Sequence, residues 1–188
     1  PELTDIGSKL CFDLNEENCL MPQLGAGLDP NASVNGYYSV ADYTEILQAA
    51  SARHIQVLPS LDMPGHARAA IKAMEARYNK YMKLENVELA EQYLLHDLAD
   101  ESKYSSVQFY GDNTINACRE SSYAFVEKVM QEVQKIHKDA GQPLTRYHIG
   151  ADETAGAWVE SPICKAFIAN NDKGITEVKQ LGSYFVER

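Results

Sequence analysis

The 188-residue chain is 45% hydrophobic and 23% charged, the balance of an ordinary globular domain or a large piece of one. Its formal net charge of −10 argues against nucleic acid and anionic membrane surfaces as partners, and fits a neutral, sugar-like or cationic one better. No run approaches the roughly 18–20 apolar residues of a membrane span.

The chain opens Pro1-Glu2-Leu3-Thr4-Asp5, without initiator Met or a basic and apolar leader, and reads as an interior cut or a processed end. Residues 1–36 carry no sustained periodicity and many turn formers, among them Pro22, Gly25, Gly27, Pro30 and Gly36, so a long loop is expected. Ser39 with Asp42 resembles a capping box, and Val40, Tyr43, Ile46, Leu47 and Ala50 then recur at helical spacing to about Arg53. His54–Leu58 is short and partly β-branched, and Pro59 ends it: a strand. Met63-Pro64-Gly65 forces a turn, and strong helix formers run from His66 to Met82.

Residues 83–117 are the least regular. A short helix fits between Leu84 and Leu95, and the remainder reads as a loop insertion on the working face. Ser121 or Ser122 is expected to cap an amphipathic helix with Phe125, Val126, Val129, Met130, Val133 and Ile136 as its inner stripe. Lys135, His137 and Lys138 fall in its last turns and Gly141 follows at the C′ position. Pro143 starts a second strand that runs through Tyr147 and Ile149 to Asp152 and Glu153. Ser161-Pro162 opens a helix to about Asn170, and Thr176 caps a last one over 177–188. Strands alternating with helices imply an α/β fold with a parallel sheet, whose sites lie at the carboxyl ends of the strands. Both predicted strands end there in ionisable groups.

Four cysteines form no CxxC pair, which argues against zinc or thioredoxin-type chemistry. Their placement favours two disulfides, Cys11–Cys19 and Cys118–Cys164, and with them an oxidising compartment. The alternative is four unpaired thiols in a reducing one.

The chemistry concentrates in two stretches. Asp62-Met63-Pro64-Gly65-His66 follows the first strand, and His148-Ile149-Gly150-Ala151-Asp152-Glu153 closes the second. Neighbours on a strand point to opposite faces, so Asp152 and Glu153 share a pocket only if the strand breaks there. Carboxylates held that close resist ionising together, which leaves one as a proton donor, and a nearby His66 would orient it. Three readings stay open on residue types alone. The pair is a solvated loop start and helix cap; or Asp62, His66, Asp152 and Glu153 hold a divalent metal; or the acids do acid–base work on a sugar.

The second stretch resembles the His-x-Gly-Gly-Asp-Glu motif of glycoside hydrolase family 20, the β-N-acetylhexosaminidases. Pro59-Ser60-Leu61-Asp62-Met63-Pro64-Gly65-His66 is similar to that family's Pro-Glu-x-Asp-x-Pro-Gly/Ala-His segment. The neighbours Ala69–Tyr78, Ser106–Phe109, Ile115–Cys118 and Gly141–Pro143 resemble its bacterial chitobiase branch, so the likeness covers most of residues 1–170.

The resemblance implies a (β/α)8 TIM barrel, of which this chain would be about strands 3 and 4 with their helices and a long loop insertion, one partial catalytic domain over 1–188. It implies Glu153 as general acid and then base, and Asp152 as the holder of the substrate's 2-acetamido group. Asp62, His66 and His148 become supporting or substrate-binding residues. No cofactor or metal is implied. The implied partners are an N-acetylglucosamine-containing oligosaccharide and the remaining barrel strands. The implied location is periplasmic, cell-surface or secreted. Trp158, the sole Trp, is either a sugar platform or a packing residue. Two positions depart from the motifs. Ala151 replaces a Gly and is expected to be tolerated at negative φ. Ser60 replaces a Glu and removes a carboxylate beside the site.

Overall fold

The computed structural model describes residues 1–22, 27 and 29–188. Its helices are α1 (Glu2–Asp5), α2 (Val40–Ser51), α3 (Arg68–Lys83), α4 (Val87–Glu91), α5 (Glu120–Asp139), α6 (Pro162–Asn170) and α7 (Leu181–Glu187), the last entered through a 3₁₀ turn over Val178–Gln180.

The capping chemistry read from sequence places two helix starts and one helix end. Ser39 accepts from the Asp42 N–H while the Asp42 carboxylate takes the Ser39 N–H, a complete capping box at α2. Ser161 accepts from Cys164 N–H, with Pro162 at the first position of α6. Gly141, at φ +79°, follows α5 as the left-handed residue its C-terminus calls for.

Other starts differ. α5 begins at Glu120, and neither serine caps it: Ser121 Oγ donates to Leu94 O and Ser122 Oγ to Asn116 O. These hydroxyls tie the helix to the preceding loop instead. Glu177, and not Thr176, caps the C-terminal turn. His137 is buried as well: Nδ1 lies 3.0 Å from Gln142 O, and Nε2 lies 2.8 Å from the Tyr43 hydroxyl of α2. Rather than a solvated charge at a helix end, it is a core bridge between α2 and α5.

The predicted strands are the largest departure. Among the described residues no strand is longer than a single bridge. His148 N–H donates to Pro59 O and Leu61 N–H to His148 O, both at 3.0 Å, which is a parallel pairing about Ser60 and His148. Met63 N–H then donates to Ile149 O at 2.8 Å, one residue out of register, and regular pairing stops. Over 54–58 the His54 and Ile55 N–H groups donate back to α2 and its last turn, and beyond them the partner is a side chain. Buried Gln142 accepts from Val57 N–H and donates to Ile55 O, taking the place of a neighbouring strand.

The expected loop over 1–36 holds α1 and a parallel bridge between Leu10 and Leu20. Its positions 23–26 and 28, Gly25 among them, lie outside the described residues. The 83–117 segment is irregular apart from α4, but part of it is packed into the core. Leu94, Leu95, Asn113, Ile115, Asn116 and Ala117 are all buried. The core joins this segment (Leu95, Ile115) to α3 (Ile71, Met74), α5 (Phe125) and α7 (Leu181, Phe185), with Met63 and Trp158 between. Each such side chain stabilises by roughly 1.5–3 kcal/mol on burial.

Candidate active site

Two glycines let the acidic stretches touch. A Cβ on Gly65 would stand 2.6 Å from the Asp152 carbonyl oxygen. One on Gly150, at φ +66°, would overlap the Asp62 carboxylate and approach Asp152 Oδ1 at 3.4 Å. Only backbone fits at either point. The turn after Met63 includes a cis Met63–Pro64 peptide and ends at His66, whose φ is +54°. α3 begins two residues later.

The second stretch reverses in the left-handed region at Gly150 (φ +66°), Ala151 (+68°) and Glu153 (+52°). That reversal breaks the strand alternation and turns two sequence neighbours toward one imidazole. His66 Nε2 lies 3.2 Å from Glu153 Oε2 and 3.7 Å from Asp152 Oδ2. The two acids are not equivalent. The Glu153 side chain is 31% exposed and accepts the Val107 N–H at 3.4 Å, whereas Asp152 is 65% exposed. His66, 19% exposed, stands between them and the core. Among the described residues no group of three His, Cys, Asp or Glu side chains is arranged as metal ligands.

Thus Asp62, His66, Asp152 and Glu153 come together. His148 sits behind them, its Nδ1 2.7 Å from Ser60 Oγ, the hydroxyl that stands where the motif has a carboxylate. Ala151 corrects an expectation: its φ is positive, a region that costs an L-residue roughly 1–2 kcal/mol. Such strain clusters at working sites. Trp158 has the surroundings of the packing residue among its two readings. It is 3% exposed and its indole N–H donates to Ile115 O at 3.0 Å. Both disulfides are present, with Cα–Cα distances of 5.7 Å (Cys11–Cys19) and 5.2 Å (Cys118–Cys164).

The sequence reading placed the 83–117 insertion on the working face but did not find what fixes it beside Glu153. Residues 104–113 rest on Gly156 through Tyr104, offer Val107 N–H to the acid, and expose Phe109 almost completely. They are anchored by Arg68, which donates to Asp112 Oδ1 (2.8 Å) and, with both terminal nitrogens, to Glu16 (2.7 and 2.8 Å). Burial works to raise the Asp112 carboxyl, but the Arg68 hydrogen bond and charge outweigh it and hold it below the usual carboxylate value. Partners 44 and 52 residues away in sequence leave no local spacing signal that could have revealed this.

The family model for the catalytic domain of glycosyl hydrolase family 20 matches residues 1–188. The chain is 53% identical over its whole length to a β-hexosaminidase of Vibrio vulnificus and 55% identical to β-hexosaminidase B of Pseudoalteromonas piscicida. Over 81% of its length it is 50% identical to the N,N'-diacetylchitobiase of Vibrio harveyi. It spans only 22%, 24% and 17% of these relatives. Among solved structures, a family 20 exo-β-N-acetylglucosaminidase of Vibrio harveyi, in complex with N-acetylglucosamine, superposes with a TM-score of 0.74 at 31% identity. That match covers 96% of this chain and 24% of the other. The chain belongs to glycosyl hydrolase family 20, as part of its TIM-barrel catalytic domain.

Proposed function

We propose that the protein to which this chain belongs removes terminal β-linked N-acetylhexosamine from chitobiose and chitooligosaccharides, by a retaining, substrate-assisted route. The relatives named β-hexosaminidase and diacetylchitobiase support the activity, and the N-acetylglucosamine complex of the structural neighbour supports the sugar. One observation carries the assignment of roles: His66 Nε2 lies within reach of both acids, and of the two Glu153 is the more sheltered.

In this reading Glu153 donates its proton to the glycosidic oxygen as the bond to the anomeric carbon breaks. The substrate's own acetamido oxygen forms the new bond to that carbon, and Asp152 accepts the acetamido N–H. Water, giving its proton back to Glu153, then bonds to the anomeric carbon of the oxazoline-like intermediate as the bond from that carbon to the acetamido oxygen breaks. No enzyme nucleophile is needed, which suits two adjacent acids with separate duties. Asp62, over Gly150, holds Asp152 in place; His66 orients Glu153; His148 and Ser60 brace the wall behind. The rest of the sugar pocket comes from the remaining barrel strands of a longer chain, with 1–188 forming one piece of a single domain. The two disulfides support a periplasmic, cell-surface or secreted location.

The test is release of nitrophenol from 4-nitrophenyl N-acetyl-β-glucosaminide by the complete protein. Glu153→Gln is expected to lower kcat by about 10²–10⁴-fold, the usual range for a lost general acid, and EDTA to change nothing. Ser60, in place of the motif Glu, favours one second reading, a carbohydrate-binding relative without catalysis. A complete wild-type protein that binds chitobiose yet never cleaves it would establish that reading and sink the first.

A further inference from the structure

We infer that Arg68, held by Glu16 of the Cys11–Cys19 loop, is a positioning residue that sets the proton-donor geometry of Glu153. The inference rests on the glycosidase reading above. Arg68 opens α3 two residues after His66, and its guanidinium makes three hydrogen bonds at 2.7–2.8 Å. Two run in parallel to the carboxylate of buried Glu16, whose Oε1 also accepts Met21 N–H. The third goes to Asp112, and the guanidinium lies 4.9 Å from the centre of the Tyr110 ring. Beside it Ala67 N–H donates to Asn113 O at 2.9 Å, and Lys72, one turn along α3, reaches Asp112 at 3.3 Å.

The segment this array pins is the one whose Val107 N–H reaches Glu153 Oε2, the oxygen that also faces His66. Both directional contacts on the acid therefore hang from one point. His66 is fixed by the start of α3, and Val107 by the far end of the 104–113 segment, and Arg68 is where those two meet. Glu16 does this from a loop drawn tight by a disulfide, with its own φ at +50°. Arg68 and Glu16 are largely buried and are paired with each other and with Asp112, not with Glu153. They act through the acid.

A proton donor that has lost its aim harms substrates in proportion to how much their leaving group needs the proton. The complete protein should therefore be assayed on 4-methoxyphenyl and 2,4-dinitrophenyl N-acetyl-β-glucosaminides, a poor and a good leaving group. Arg68→Met is expected to lower kcat about 30-fold on the first and less than about threefold on the second, with KM unchanged on both. Arg68→Lys, keeping a charge for Asp112 but not the paired bonds to Glu16, should recover part of the loss. Glu16→Gln should show the same asymmetry at smaller size, and serves where Arg68→Met fails to fold. Equal losses on the two substrates, or no loss, overturn the inference while leaving the glycosidase reading intact. A wild type that cleaves neither substrate overturns both.

Discussion

At Gly150 a single methyl group decides whether the acids can assemble. The left-handed backbone there is shared with Ala151, yet the two positions differ in what surrounds them. Gly150 has the Asp62 carboxylate where its Cβ would be, whereas Ala151 already carries a Cβ in the same backbone region. Gly150→Ala must push Asp62 away from Asp152 as well as strain the turn. In the complete protein it is expected to cost about 1–3 kcal/mol by denaturant titration and about 10²-fold in kcat, the effect of moving a reacting group by an ångström. Normal activity in a folded Gly150→Ala variant would remove Asp62 from the site. Residue identity announced this cluster well before the structure did, because the acids, the glycines and His66 all stand in short motifs. What those motifs could not carry was conformation. The sign of φ at Ala151, the burial of Trp158 and the core position of His137 all depend on residues distant in sequence.

Among the elements, α6 shows how a loop residue can govern a helix. Asp97 sits in the irregular 83–117 segment, but it is buried and accepts from Ile163 N–H (3.0 Å), Ser161 Oγ (2.7 Å) and Ala99 N–H (3.1 Å). Burial alone would raise its carboxyl. The donors, led by the Ile163 N–H and the Ser161 hydroxyl, outweigh that and hold it below the ordinary aspartate value of 3.8. An acid depressed in the folded state stabilises fully above its unfolded value and loses that contribution as pH falls through the folded one. Asp97→Ala is therefore expected to destabilise the complete protein by about 2 kcal/mol at pH 7. The gap between variant and wild type should narrow only below about pH 4, read by urea titration across pH. A gap independent of pH would mean that packing, and not the charge, holds the cap. Helices α2 and α6 were legible because periodicity and caps are local, and α5 through its periodicity. The strands were legible as apolar runs but not as ladders, since a ladder needs partners on both sides. Here Pro59 offers no N–H, and Gln142 takes the donors and acceptors at 55 and 57.

Over the whole molecule the apolar surface is unevenly covered. Ile55, Leu58 and Leu61 are exposed along the first extended segment. A groove of about 880 Å³ runs beside the second, lined by Met63, Met130, Leu144, Tyr147, Ile149 and Phe185. Within it the Tyr147 hydroxyl is buried without a hydrogen-bond partner, and burial pushes its pKa up to about 12. Exposed apolar patches of this kind mark surfaces that other structure covers. Expressed alone, residues 1–188 should bind ANS, unfold over a broad range and release no nitrophenol, whereas the complete protein should unfold cooperatively. A sharp transition without dye binding in the short piece would show that it is a self-sufficient unit.

The pairing of Ser60 with His148 joins positions 88 residues apart in sequence. Closing a flexible loop of that length costs about 4 kcal/mol of chain entropy before any contact repays it. A chain emerging from the ribosome therefore carries Asp62 and His66 for some time without their counterparts. The cluster of Asp62, His66, Asp152 and Glu153 cannot exist until Glu153 has been made, and by then α3 and α5 have had time to form and shorten the span. Synthesis itself thus sets the earliest moment at which these four side chains can stand together.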